Sequence, residues 1–375
     1  MTLCVFALIA SEFMPVSLLT PIASDLGVTE GQAGQAIAIS GIFAVLTSLT
    51  ISRLAGRMDR KRLLLLLTVV MAVSGTVVAV APNYPIFMAG RALIGVVIGG
   101  FWSMSAAIAI RLVPEDQVPK ALAIFNAGNA LATVIAAPLG SFLGAIIGWR
   151  GAFFVVVPVA LIVLVWQWIS LPSMKAGVAP GSTNVFKLLN RPLVAFGMIS
   201  VGLFFMGQFA LFTYVRPFLE TVTRVEITTL SLILLALGIA GFIGTSIIGA
   251  FLKNGLYRTL IVVPVLMAAI GGALIAFGTN VPATAALLAL WGLFATAAPV
   301  GWWTWLAKSL PQDAEAGGGL MVAVIQLSIK LGATIGGILF DMGGYQSAFG
   351  AGVVLLLACA ILAFLASRVR SIHAV

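Results

Sequence analysis

The chain has 375 residues, of which 61% are hydrophobic and only 8% are charged, too few charges to cover a water-soluble surface. One histidine and two cysteines exclude a histidine-rich metal site, a CxxC redox centre and a disulfide scaffold, and no GxxxxGK[ST] motif occurs. The composition and a mean hydropathy of +1.18 predict an all-α integral membrane protein. We expect neither a metal nor a cofactor, and no enzymatic activity.

Apolar stretches of about 20 residues, the length that a membrane-spanning helix needs, occur twelve times along the chain. The predicted spans of the first half lie near 2–24, 33–53, 63–81, 86–110, 119–145 and 150–171. Those of the second half lie near 192–217, 228–252, 259–278, 284–308, 316–340 and 346–368. The pattern predicts a six-helix bundle over 1–171, a cytoplasmic linker over 172–190 and a second six-helix bundle over 191–375.

Basic residues collect in the loops on one face of these spans. Fifteen of the 20 lysines and arginines fall on that face and three on the other, whereas Arg91 and Lys330 lie inside spans. Short basic loops stay in the cytoplasm, so both termini and the linker are predicted to be cytoplasmic. Charges spread over short loops beside lipid headgroups also argue against a nucleic-acid surface, despite a formal net charge of +9.

The two halves resemble each other at an offset of 196 residues, at which Glu12 matches Gln208 and Gly148 matches Gly344. An even number of spans per half predicts parallel repeats related by a pseudo-twofold axis. Transporters that move two bundles around a midplane site have this architecture. Small residues at every fourth position of span 5, among them Gly140 and Gly144, favour close helix contacts. This stripe of small residues has two interpretations: static helix packing, or a contact at which the halves slide and gate transport.

Several motifs resemble those of the major facilitator superfamily. EFMPVSLLTPIASDLGVTEGQAGQ (12–35) resembles the first-span signature of bacterial proton-coupled sugar and drug exporters. RALIGVVIGG (91–100) resembles the fourth-span arginine motif, and APLGSFLGAIIGWR (137–150) the fifth-span exporter motif. RLAGRMDRKR (53–62) resembles the loop 2–3 gating motif, with Arg57 as a gating candidate. Gly56 stands where that family usually has an acid, and Asp59 is the candidate substitute.

Within this group the motifs GGFWSMSA, GQFALFTYVRP and PVGWWTW are most similar to those of purine ribonucleoside efflux pumps. The resemblance implies a proton-coupled exporter in the bacterial cytoplasmic (inner) membrane, with a small-molecule substrate, protons and the lipid bilayer as its partners. We expect a monomer. Multidrug or sugar efflux by the same antiport is an alternative, and a passive channel or facilitator is an alternative of another class.

Two charged residues inside the spans are candidates for proton coupling. Glu12 lies midway through span 1, where a carboxylate costs at least about 2.5–3.5 kcal/mol. It is predicted to carry the proton, and a structural hydrogen bond is the alternative. Arg91 is predicted to tune Glu12, and a buried ion pair or a backbone clamp is the alternative. Lys330 has two open interpretations, tuning of a site or extension of its side chain toward the interface.

The predicted substrate contacts combine aromatic rings with amides and hydroxyls, which suits a flat ring with polar edges such as a purine. The cavity is expected among spans 1, 4, 7 and 10, and the predicted contacts lie on spans 4, 7, 10 and 11. The predicted contacts are Trp102, Ser105, Gln208, Phe209, Phe212, Tyr214, Trp302 and Gln326. An interfacial aromatic belt is the alternative interpretation of the tryptophans near 302.

Overall fold

Helices form the secondary structure throughout the computed structural model, which describes residues 1–28, 30–174 and 185–372. Most of the predicted linker therefore lies outside the described residues. Short helical turns occupy Glu115–Gln117, Val185–Asn190 and Leu219–Thr223. The α-helices are α1 Thr2–Leu26, α2 Glu30–Ala55, α3 Arg60–Ala79, α4 Tyr84–Leu112, α5 Val118–Phe154, α6 Val156–Ser170, α7 Pro192–Phe212, α8 Val215–Phe218, α9 Ile227–Phe277, α10 Val281–Ser309 and α11 Ala314–Ile372.

Eight helical segments within the described ranges are long and apolar enough to cross a membrane. Two of them, Thr228–Phe277 and Ala314–Val369, contain 50 and 56 residues. At about 1.5 Å per residue each is more than twice the thickness of a hydrocarbon core of about 30 Å. Each has a break: α9 leaves helical geometry at Gly255, and α11 does so at Gly343 and Gly344. Predicted spans 8 and 9 thus share α9, and spans 11 and 12 share α11.

The backbone repeats itself between the halves at two glycines. Gly148 interrupts α5 with φ 72°, and Gly344, 196 positions later, interrupts α11 with φ 69°. An L-residue with a side chain is strained in this region of φ, whereas glycine is not. The internal repeat predicted from the sequence is therefore visible as a matched pair of left-handed positions.

Helices α4 and α10 form a second matched pair, because each has 29 residues and starts in the same way. The side chain of Asn83 accepts a hydrogen bond from the amide of Ile86 at 3.1 Å, and Asn280 accepts one from Ala283 at 3.0 Å. Each helix also has a proline in its first turn, where the missing N–H costs nothing. The two helices start 197 positions apart.

The Cα positions divide into two compact units, each described by itself. Unit 1 consists of Met1–Val113, Ile124–Thr183 and Gln312–Ala323. Unit 2 consists of Pro114–Ala123, Asn184–Pro311 and Val324–Val375. Each half of the sequence thus supplies most of one unit, while the segment that opens α11 belongs to unit 1.

Small residues hold the helices of each unit close together. A methyl group added to Gly95 would lie 2.3 Å from the carbonyl oxygen of Ser40 on α2. One added to Gly332 would lie 2.3 Å from the carbonyl oxygen of Met206 on α7. Real side chains do not fit at such distances, so these positions require glycine. The contacts are within one unit in both cases, in agreement with the static-packing interpretation.

Candidate functional site

A proline breaks the hydrogen-bond ladder of α1 one turn after Ser11. Pro15 has no N–H, so the carbonyl oxygen of Ser11 lacks its usual partner within the helix. Arg91 of α4 supplies one: its Nη1 donates to Ser11 O at 2.7 Å, and its Nη2 donates to Glu12 O at 2.9 Å. The guanidinium group therefore replaces backbone donors and fixes the helix at its break.

Arg91 is 1% exposed and lies over the ring of Phe153 at 6.0 Å. Its hydrogen bonds go to backbone carbonyls, which matches the backbone-clamp interpretation and not an ion pair. The Glu12 carboxyl group interacts with Arg91 through its charge but has no hydrogen-bond partner among the described residues. The main chain of Glu12 is thus held in place, and the role of its carboxyl group as proton carrier stays a prediction.

The candidates on α4 differ in what their polar groups do. The Ser105 hydroxyl is buried and donates to the carbonyl oxygen of Trp102 at 2.8 Å, a bond within its own helix. Trp102 is partly exposed and packs edge-on against Phe101, with ring centroids 5.9 Å apart. Trp102 therefore keeps an accessible ring, whereas the hydroxyl of Ser105 is already used.

The candidates on α7 form a compact group at the end of that helix. The Oε1 atom of Gln208 is buried and accepts no hydrogen bond from the residues that the structure describes. Phe209 and Phe212 contact each other edge to face at 6.1 Å and are both partly exposed. A buried amide oxygen without a partner is costly in an apolar protein, so Gln208 is a good candidate for a ligand contact.

Two predicted substrate residues have structural contacts instead. Tyr214 donates its hydroxyl to the carbonyl oxygen of Ala333 at 2.7 Å and stacks on Phe340 at 5.2 Å, which joins the end of α7 to α11. Trp302 is buried between Phe204 and Trp305, at 6.4 and 6.3 Å. The buried position of Trp302 does not fit the alternative interpretation of an interfacial belt. As substrate contacts both residues stay predictions.

The predicted gating residues of the 53–62 motif are not equivalent. Arg57 is exposed. Asp59 caps α3 by accepting from the amide of Lys61 at 2.7 Å, and it also accepts from the amide of Met174 at 3.1 Å. A hydrogen bond from the Ser173 hydroxyl holds the pKa of the Asp59 carboxyl below its usual value. Asp59 therefore fixes the segment that follows α6 rather than pairing with a base.

The ion pair in this region involves an acid that sequence reasoning missed. Arg60 donates from Nε to Glu315 Oε1 at 2.7 Å, with a second bond from Nη2 to Oε2. Arg111 lies 3.2 Å from the same carboxylate. Arg60 also donates to two carbonyl oxygens of its own loop. Glu315 precedes span 11 in the sequence, where neither the motif nor the repeat singles it out.

The remaining candidates lie on α5 and α11. A methyl group on Gly144 would lie 2.4 Å from Leu18 Cδ2 of α1, so this glycine packs within unit 1. Gly140 is buried, and its gating role stays a prediction. Gln326 is partly exposed on α11, one turn before Lys330. No cluster of potential metal ligands occurs in the part of the chain that the structure describes.

Comparisons with known proteins agree with the membrane-transporter interpretation. A sequence model of the Major Facilitator Superfamily matches residues 1–329. The purine ribonucleoside efflux pump NepI of Salmonella typhimurium is 42% identical over 362 residues, 96% of this chain and 91% of NepI. A Pseudomonas aeruginosa protein named transcription regulatory protein OpdE is 62% identical over 98% of this chain and 92% of its own length.

The fold also matches a solved structure, that of the human organic anion transporter MFSD10 (TETRAN). The TM-score is 0.73, with 17% sequence identity, and the match covers 96% of this chain and 98% of the other. At this identity the likeness concerns the fold alone. The P. aeruginosa relative is named as a transcription regulator, whereas the present chain matches the family model of membrane transporters.

Proposed function

Since this chain belongs to the major facilitator superfamily, we propose that it exports purine ribonucleosides in exchange for protons by alternating access. The nucleoside assignment rests on the similarity to NepI along nearly the whole chain. The proton assignment rests on one observation: Glu12 lies at the Pro15 break of α1, where Arg91 binds the backbone and the carboxyl group has no hydrogen bond to any residue that the structure describes. A carboxyl group in a membrane exchanges its proton when its exposure to water changes.

Within this proposal the chain forms twelve spans in two six-helix bundles, with both termini and the linker in the cytoplasm of a bacterium. The glycine breaks of α9 and α11 and the excess of basic residues on one face support this arrangement. A cysteine in place of Ser182, outside the described residues, is expected to react with an impermeant maleimide only in inside-out vesicles. Cys4 and Cys359 are buried and supply the unreactive background. Labelling in intact cells would contradict the orientation.

Flux through the purified protein tests the transport reaction. Proteoliposomes with an acidic interior are expected to concentrate tritiated inosine, because protons leave the vesicle in exchange for the solute. This exchange does not depend on which way the protein is inserted. Collapse of the pH gradient with a protonophore is the control and should release the accumulated inosine. Equilibration without accumulation would favour a facilitator. Accumulation of arabinose or of a lipophilic cation, with no inosine flux, would replace the nucleoside by a sugar or a drug.

A further inference from the structure

Helix α11 has three faces, and two of them have a clear environment. One face packs on α7, where methyl groups added to Gly332 and Gly336 would lie 2.3 and 2.6 Å from backbone oxygens. A second face is apolar and exposed, as expected for contact with lipid. Its members are Leu327, Leu331, Ile335, Ile338 and Met342.

The third face of α11 is polar and is centred on Lys330. At about 100° per residue, Gln326, Thr334 and Asp341 lie within about 40° of Lys330 around the helix axis. Asp341 is eleven residues away, or about 16 Å along the helix, too far for an ion pair. Among the described residues the Lys330 ammonium group has neither an acidic partner nor a hydrogen-bond acceptor.

Lys330 lies far from both ends of the unbroken part of α11. It lies 16 residues after Ala314 and 12 residues before Met342, which corresponds to about 24 and 18 Å along the axis. A four-carbon stem does not cover either distance. An ammonium group at this depth must face water or a ligand, because hydrocarbon would leave its charge uncompensated.

We propose that Lys330 selects 6-oxopurine nucleosides by donating to the O6 and N7 acceptors at the edge of the base. This inference rests on the proposed function. An ammonium group has three donors and no acceptor. The bases of inosine and guanosine present two adjacent acceptors at that edge, whereas adenosine presents an amino donor beside N7. Gln326, one turn away, offers an amide for the neighbouring edge of the base.

Equilibrium dialysis of the purified chain with tritiated inosine and tritiated adenosine tests the selection. The wild-type chain is expected to bind inosine on the order of tenfold more tightly than adenosine. Lys330→Met should bring this ratio close to one through weaker inosine binding, with adenosine binding preserved. Lys330→Arg should keep most of the preference. Lys308→Met is the matched control, because Lys308 is also half-buried but lies on α10.

A ratio that Lys330→Met leaves unchanged, or equal weakening of both nucleosides, would overturn the proposal. So would tighter binding of inosine 5′-monophosphate than of inosine, because Lys330 would then act on a phosphate. If Lys330→Met does not fold, the wild-type series of inosine, unsubstituted purine riboside and adenosine should still weaken in that order. Equal wild-type binding of all three would refute this inference alone. Absence of any nucleoside binding would refute the proposed function as well.

Discussion

Helices α1 and α7 occupy equivalent places in the two halves, yet only α1 carries charge and a break. At the offset of 196 residues, Glu12 corresponds to Gln208 and Pro15 to Leu211. The arginine that binds the α1 break corresponds, at the offset of 197 that relates α4 to α10, to the buried Leu288. At these equivalent positions the second half therefore has no acid, proline or arginine, so the arrangement of Glu12, Pro15 and Arg91 is a feature of the first half.

The largest expected effect comes from removing Glu12, the proposed proton carrier. Glu12→Gln keeps the size and the hydrogen-bonding capacity of the side chain but cannot titrate, so uphill accumulation of solute should be lost completely. Exchange of labelled for unlabelled solute should persist, because the permanently neutral site no longer requires a proton. Glu220→Gln, at an exposed acid of the second half, is the control and should transport normally. Accumulation by Glu12→Gln would place coupling elsewhere, with Asp341 next to test.

Two ion pairs differ in burial: one has its acid, Glu315, in the first turn of α11, and the other has its acid, Asp116, in the turn before α5. The Arg60–Glu315 side chains are 2% and 11% exposed, whereas those of Lys253 and Asp116, 3.7 Å apart, are 57% and 58% exposed. Glu315→Gln leaves a buried guanidinium without its counter-ion, which should cost about 3–5 kcal/mol. The melting temperature in detergent should fall sharply, and Arg60→Gln added to Glu315→Gln should recover part of the loss. An unchanged melting temperature would mean that the carboxylate is not needed.

A smaller loss of stability is expected at the Pro15 break, where a second substitution should compensate the first. Arg91→Met leaves the carbonyl oxygen of Ser11 without a donor, at a cost of about 1–3 kcal/mol. Pro15→Ala restores an N–H to α1 and should rescue the Arg91→Met variant more than it stabilises the wild-type chain. The four melting temperatures form a double-mutant cycle, and its coupling term is the measured quantity. Strictly additive effects would show that the arginine does not compensate the proline.

The smallest effect is expected at the exposed pair. Asp116→Asn should change stability by no more than about 0.5 kcal/mol, because solvent screens exposed charges. The same melting experiment measures it beside Glu315→Gln, with the wild-type chain as reference. A loss as large as that of Glu315→Gln would show that burial does not distinguish the two pairs.

The sequence was sufficient for the parts of the fold that depend on local chemistry. Hydrophobic length predicted the helices, and the offset of 196 residues predicted a repeat with which the matched left-handed glycines Gly148 and Gly344 are consistent. Membership of the major facilitator superfamily, suggested by the motifs, is confirmed by the family match. These features can be predicted because a span of about 20 apolar residues, or a glycine at a left-handed position, depends on residues that are close together in the sequence.

The site was harder to predict, because its contacts join residues far apart in the chain. Arg60 and Glu315 are 255 positions apart, and no local sequence pattern around either residue predicts their ion pair. The residue types of Trp302 and Tyr214 suggested ligand contacts, but side-chain packing uses the first in the core and the hydroxyl of the second as a link to α11. Residue type alone does not distinguish a ring that stacks on a ligand from one that fills a core.

The tryptophans of α10 make the second half of the chain optically distinct. Trp291, Trp302, Trp303 and Trp305 are all buried, and they are half of the eight tryptophans in the protein. Their fluorescence should be blue-shifted and resistant to quenching by iodide. Trp166 and Trp168 on α6 are exposed on the apolar surface and should respond to brominated lipids. A solute-induced emission change that survives brominated lipid would therefore arise mainly from buried tryptophans, without any dye.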